Sequence, residues 1–187
     1  MKILAIESSS LVASVAIVED NTMVAEYTIN YKKTHSQTLL PMIDEICKIT
    51  DYRLEDIDAI AVSAGPGSFT GLRIGSATAK GLGLALKKPL IHIPTVEAMA
   101  YNFYDTDKYI VPIMDARRSQ VYTGIYTNKE GIVKEILPQC IMSMDELIKK
   151  VNEIGQPVVF LGDGVPVFRE KIETDVLVEA VFAPAGM

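Results

Sequence analysis

The chain has 187 residues, 49% of them hydrophobic, and a net charge of −6 from 18 basic and 24 acidic side chains. That length allows one large domain or two small ones, and the apolar content argues against a disordered chain. An acidic balance with no lysine- or arginine-rich block makes a poor stand-alone nucleic-acid binder, so any service to a nucleic acid is expected to run through a partner. Cys47 and Cys140 lie far apart and form no CxxC pair, so no disulfide framework is indicated and a reducing compartment fits. The apolar run in residues 1–7 is too short for a signal peptide. No stretch approaches the roughly 18 apolar residues of a membrane span. The expected location is the cytoplasm, without a membrane partner.

Residues 3–7 read as a strand, Ser8-Ser9-Ser10 as a turn, and 13–18 and 23–29 as further strands of an antiparallel meander. Leu39, Met42, Ile43 and Ile46 then fall at helical spacing. Thr34 or Ser36 would cap that helix, with Pro41 near its first turn, where proline is tolerated. A buried strand at 58–63 runs into the most informative stretch of the chain, Ser63-Ala64-Gly65-Pro66-Gly67-Ser68-Phe69-Thr70-Gly71-Leu72-Arg73. Two glycines and a proline make a tight turn there, and a helix over 70–86 follows, capped by Ser68 or Thr70. Within it Gly71, Gly75, Ala79 and Gly83 recur every fourth residue, on one face. Each helical glycine costs about 1 kcal/mol against alanine. Three on one stripe therefore imply a close neighbour: the chain's own sheet, a second helix, another subunit or a ligand. A strand at 90–93 and a helix at 95–103 complete the first half.

Residues 101–108 read as a boundary, after which the pattern restarts. Ile3-Leu4-Ala5-Ile6-Glu7 and Ile110-Val111-Pro112-Ile113-Met114-Asp115 are both apolar strands ending in an acid, and each returns as a second apolar strand, at 14–18 and 121–126. A strand–acid–turn–strand unit repeated about 107 residues apart suggests duplication, with domains at 1–103 and 108–187. A helix at 144–154, a strand at 157–161, a turn at Gly162-Asp163-Gly164 and a short helix at 165–171 follow. The tail, 173–187, is apolar, shows no ending element and stops as though interrupted.

Several groups could carry chemistry. Glu7 could hold a metal-bound water and Ser8, Ser9 and Ser10 could donate to phosphate; the alternative is a solvated hairpin end. Gly65, Gly67 and Ser68 could cradle an anion on backbone N–H groups at a helix N-terminus, although no Gly-Lys-Ser/Thr follows; the alternative is a structural turn. His35 is expected as a cap or surface residue and His92 as a core or edge residue. Asp115, Arg117 and Arg118 read as a turn held by ion pairs, or as a second phosphate hairpin. Asp163 reads as a turn residue and Cys47 as packing. With two histidines on separate elements, no metal site is expected.

Taken in order, Ile3 to Ser8, Ser14 to Ile17, His35-Ser36-Gln37 with Leu40-Pro41, Ser63 to Arg73, Pro112 with Asp115-Ala116-Arg117 and Tyr122, and Gly162-Asp163-Gly164 resemble the TsaB family. These are partner subunits in the bacterial synthesis of threonylcarbamoyladenosine in tRNA. The resemblance implies an α/β chain with a duplicated actin/Hsp70/sugar-kinase-like (ribonuclease H-like) fold of two mixed-sheet subdomains. It implies a non-catalytic protein that pairs with the TsaD transferase and works with the TsaE ATPase. TsaD moves a threonylcarbamoyl group to N6 of adenosine 37 in tRNAs that read codons beginning with adenine. TsaD-like enzymes carry a metal-binding His-x-Glu-Gly-His helix. The comparable segment here is Thr95-Val96-Glu97-Ala98-Met99, with both histidines replaced.

The family pairs subunits through helices that correspond here to 36–49 and 70–86. That assigns partner contact to Leu39, Leu40, Ile43, Gly71, Leu72, Arg73, Gly75, Ala79, Leu82 and Gly83, and favours a subunit interface for the bare stripe over internal packing. No cofactor is expected to bind stoichiometrically, ATP is expected at the junction of the complex, tRNA is reached only through the complex, and the isolated subunit is expected to pair with itself. Family members continue into further C-terminal helices, which this chain is expected to lack. The competing readings are an actin-like ATP-binding or ATP-hydrolysing enzyme and, more weakly, a peptidase. No nucleophile with an adjacent base can be assembled for the latter.

Overall fold

The computed structural model describes residues 1–31 and 34–183. They divide into two units, 1–95 and 96–187. The first unit runs β1 (Lys2–Glu7), β2 (Ala13–Glu19), β3 (Thr22–Ile29), α1 (His35–Thr50), β4 (Ala59–Ser63), α2 (Phe69–Leu86) and β5 (Leu90–Ile93). Its sheet has the order β3-β2-β1-β4-β5. β1 and β3 pair antiparallel with β2, while β4 pairs parallel with both β1 and β5. Side chains alternate across a strand, so Leu4, Ile6, Val15, Ile17, Ile60 and Val62 share one face. There they meet Leu39, Met42, Ile43 and Ile46 of α1 and Ala79 of α2. α1 starts at His35, one residue before the sequence reading, which puts Pro41 inside the helix rather than near its first turn. Pro41 lies on the exposed side.

The second unit starts inside α3 (Thr95–Ala100) and continues through β6 (Tyr109–Asp115), β7 (Gln120–Lys129), β8 (Ile132–Ser143), α4 (Met144–Ile154), β9 (Val158–Leu161), α5 (Val165–Asp175) and β10 (Ala180–Phe182). Its sheet order, β10-β9-β6-β7-β8, is that of the first unit read backwards. Two antiparallel neighbours lie on one side of the central strand and two parallel ones on the other. Helices follow the third and fourth strands of both units. The expected duplication is thus a repeat of topology as well as of pattern. α4 opens with a capping box, Ser143 with Glu146, and closes on Gly155 in the left-handed conformation, which satisfies backbone groups at both ends.

Four expectations need correction. The boundary falls at 95/96 rather than at 103–108, because Val96 and Ala100 are fully buried against Ile110, Met114, Tyr126, Val159 and Leu161 of the second unit. α3 ends at Ala100, not 103. β8 and β10 were not foreseen, and α5 runs to Asp175, four residues beyond the expected end. The abrupt stop read in the tail concerns residues 184–187, which lie outside the described residues.

Candidate functional site

β1 and β4 are parallel, with Ile6 beside Val62, so the turn after β1 and the glycine turn after β4 leave the sheet side by side. The two groups of residues considered for nucleotide binding, Glu7 to Ser10 and Gly65 to Ser68, therefore meet. Ser68 N donates to Ser9 O at 2.6 Å. Ser8 Oγ donates to Gly71 O at 3.0 Å, and Ser8 N to Ser63 Oγ at 3.4 Å. Ser8 and Ser9 are 0% and 3% exposed, because α2 lies directly on their backbone. A Cβ on Gly67 would overlap Ser9 O, one on Gly71 would overlap Ser8 O, and one on Gly75 would overlap Ser8 Oγ. Only glycine permits so close an approach.

The bare stripe is therefore occupied within its own unit, against the expectation of a subunit contact. Gly71 and Gly75 seat α2 on the 8–9 turn, Ala79 is fully buried in the core, and a Cβ on Gly83 would come within 2.9 Å of Leu90 Cδ2. Leu39 and Ile43 are likewise core residues, and Leu72 and Leu82 are half-buried. Of the ten residues assigned to partner contact, Leu40 at 55% exposure and Arg73 remain open to solvent. Arg73 neither pairs with an acid nor extends freely: its guanidinium lies 3.9 Å over the Phe69 ring, a cation–π contact. The sequence reading missed Phe69, Gly81 and Leu84. Phe69 and Leu84 are 68% and 84% exposed, and a Cβ on Gly81 would meet nothing within 4 Å. The helical phase of Gly81 and Leu84 was available as a signal, since residues 73, 77, 81 and 84 lie opposite the small-residue stripe.

Several polar groups at the junction are partnered locally. The Glu7 carboxylate accepts from Ser9 N at 2.5 Å, Ser10 Oγ accepts from Val12 N at 3.2 Å, and Ser68 Oγ accepts from Gly71 N at 3.3 Å, capping α2 as expected. The amides of Ser9, Ser68 and Gly71, natural donors for an anion cradle, thus already serve the fold. His35 is not a cap: its Nε2 lies 2.8 Å from Ser10 O. A carbonyl can only accept, so that nitrogen carries the proton and His35 latches the turn to α1. Thr34 precedes the helix without a side-chain cap bond. His92 is exposed on β5.

The second unit builds the corresponding turn differently. Asp115 accepts from Arg117 N at 2.8 Å and pairs with Arg117 Nη1 at 3.1 Å, the ion-paired turn expected from sequence. Asp115 N donates to Asp163 Oδ1 at 3.2 Å. Asp163 as a residue is solvent-exposed, but partial desolvation of its carboxyl raises it above its ordinary value, and the charge of Asp115 adds to this against the hydrogen bond from the Asp115 amide. Thr95 is buried, with its N–H donating to Gly65 O at 2.9 Å. Met99 Cε packs 2.7 Å from where a Cβ on Gly162 would stand. Cys47 is half-buried against the first core, and burial raises its thiol. Among the described residues no three His, Cys, Asp or Glu side chains converge, and no helix is long and apolar enough to cross a membrane.

A five-stranded mixed sheet occurring twice with one strand order, and helices after its third and fourth strands, defines the duplicated actin/Hsp70/sugar-kinase-like class. A ROK hexokinase from Thermus thermophilus shares this fold at a TM-score of 0.51 and 11% identity, over 100% of this chain and 94% of that one. A Pseudomonas aeruginosa protein described as similar to peptidase YeaZ superposes at 0.84, with 24% identity over 100% of this chain and 84% of its own. In sequence, residues 22–183 match the family TsaD, tRNA N6-adenosine threonylcarbamoyltransferase. The tRNA threonylcarbamoyladenosine biosynthesis protein TsaB of Bacillus subtilis is 37% identical over 177 residues, 95% of this chain and 77% of its own length. The chain belongs to the TsaB family, related in sequence to the TsaD transferases.

Proposed function

We propose that this chain is the non-catalytic subunit in the formation of N6-threonylcarbamoyladenosine at position 37 of tRNA. In this role it pairs with a TsaD-like transferase and works with a TsaE-like ATPase. The observation that carries the reading is the 37% identity to Bacillus subtilis TsaB across 95% of the chain. The site chemistry supports a subunit over an enzyme. The acid at the end of β1 accepts from its own turn, and the glycine turn is filled by the Ser9 backbone. The helix that carries metal ligands in the transferases holds Thr95 and Met99 at those positions, neither of which replaces imidazole.

The partner is expected on the solvent side of α1 and α2, at Leu40, Gly81 and Leu84, in place of the stripe that α2 buries. Exposed leucines beside an unfilled glycine offer apolar area with room for a facing helix. When the partner is absent the same side can pair with itself, giving a homodimer. ATP belongs at the junction of the complex, tRNA is reached through the complex, and the work is cytoplasmic.

Reconstitution tests this. The chain is mixed with TsaD-like and TsaE-like proteins, tRNA and threonylcarbamoyl-adenylate, and the modified nucleoside is measured. Product is expected only with the transferase present, and product from this chain alone would overturn the subunit reading. Leu84→Arg is expected to abolish co-elution with the transferase while leaving circular dichroism unchanged. Retained co-elution would move the contact elsewhere.

A further inference from the structure

Residues 59–96 contain Arg73, Lys80, Lys87 and Lys88 and no Asp or Glu, in a chain whose net charge is −6. Whole-chain composition conceals this segregation. The segment comprises β4, α2 and β5, and between α2 and β5 lies a groove of about 480 Å³. Val62, Phe69 and Leu72 are among its apolar walls, and Arg73, Lys80 and His92 line it without a carboxylate among the lining residues. Neither Arg73 nor Lys80 takes part in an ion pair among those found for the described residues.

One side of the groove is an open sheet edge. Among the described residues β5 is the last strand of its sheet and pairs only with β4. Ile60 N donates to Pro89 O at 3.0 Å and Ala64 N to Ile93 O at 2.8 Å. In a parallel ladder alternate residues face the neighbour, so Leu90 and His92 turn their backbone N–H and C=O to the open side.

We propose that this groove binds an extended acidic peptide segment of a protein partner, which adds as a strand to β5 and sets its carboxylates against Arg73 and Lys80. Main-chain pairing at an exposed edge supplies affinity and alternate side chains supply specificity. The absence of acids from the lining supplies charge complementarity. A polynucleotide fits less well. Phe69, the phenyl ring that lines the groove, is already covered by Arg73, and an open sheet edge offers main-chain pairing that a polynucleotide cannot use. The inference does not depend on which enzyme the chain assists.

The test uses the full chain and a fluorescein-labelled peptide of alternating Glu and Val, read by fluorescence anisotropy. Saturable binding is expected, weakened about tenfold by Arg73→Glu with Lys80→Glu and weakened again at about 0.3 M salt. Lys134→Glu, on β8, is expected to change nothing. Arg73→Gln with Lys80→Gln repeats the test with a milder change should the double reversal fail to fold. Amide chemical shifts at Leu90 and His92 are expected to move on titration while those of β3 stay. Absence of peptide binding, binding indifferent to both double variants, or capture of a labelled oligouridine in place of the peptide would each overturn the proposal.

Discussion

α2 and α5 hold the same place in the two halves of the repeat, each following the fourth strand of its sheet, yet they meet their sheets in opposite ways. α2 buries Gly71, Gly75, Ala79 and Gly83, whereas α5 buries Val165, Phe168 and Ile172. A helix faced with glycine can lie on backbone, and α2 does so, roofing the turn after β1 so that Ser8 and Ser9 are lost to solvent. A helix faced with Val, Phe and Ile stands off by the length of those side chains. The turn after β6 stays exposed, with Arg117, Arg118 and Ser119 successively in the left-handed region at φ 67°, 52° and 59°. One topology therefore yields a sealed turn in the first unit and an open one in the second. The side chains on the buried helix face are one difference between the two units.

That contrast can be broken from both sides. Phe168→Ala should have the largest effect, a loss of about 3–5 kcal/mol, because it removes the spacer that α5 stands on and leaves a cavity. Urea denaturation monitored at a probe in the second unit measures it. Gly71→Ala should follow, at about 3 kcal/mol, the upper end of overpacking costs, since its Cβ would overlap a backbone oxygen that cannot rotate away. Wild-type stability for that variant would mean that α2 is not seated on the turn.

Gly81→Ala sharpens the comparison. It makes the same chemical change on the same helix where nothing lies within 4 Å, so only propensity acts and a gain of about 1 kcal/mol is expected. The difference between the two alanine variants then isolates the contact from the propensity.

The smallest effect belongs to Asp163. Its carboxyl is raised in the folded state, so the native protein binds that proton more tightly than the unfolded chain does. The associated stability is full below the ordinary carboxylate pKa of about 4 and is lost as pH rises through the raised value. Asp163→Asn retains an acceptor for the Asp115 amide and removes the titration. A small gain over wild type is expected at neutral pH and none at acid pH, compared through denaturation midpoints at the two conditions.

Most of the architecture was legible because it rests on period and punctuation. Leu4, Ile6, Val15 and Ile17 alternate, Leu39, Met42, Ile43 and Ile46 step helically, and Gly65-Pro66-Gly67 marks the turn between strand and helix. β8 was not legible: as an edge strand interrupted by Pro138 and broken in register near Ile125 and Tyr126, it shows little alternation. β10, at three residues, is too short for a period to register.

The site was half legible. The sequence identified a face without large side chains on α2 but could not say whether a neighbour's backbone or the chain's own would cover it. Periodicity resolves direction and not distance. The partner of Gly71 is the backbone oxygen of Ser8, sixty-three positions away, and no residue type announces such a contact. His35 was misjudged for the same reason, since the carbonyl it latches belongs to a distant turn.

Val96 and Ala100 act as a plug for a hydrophobic layer built from strands that come later in the chain. Half-molecules cloned for exchange or fusion should therefore be joined between residues 95 and 96. A seam placed after residue 103 sends the plug away with the wrong fragment and leaves Met114 and Tyr126 wet. A seam at the earlier position hands the layer over complete.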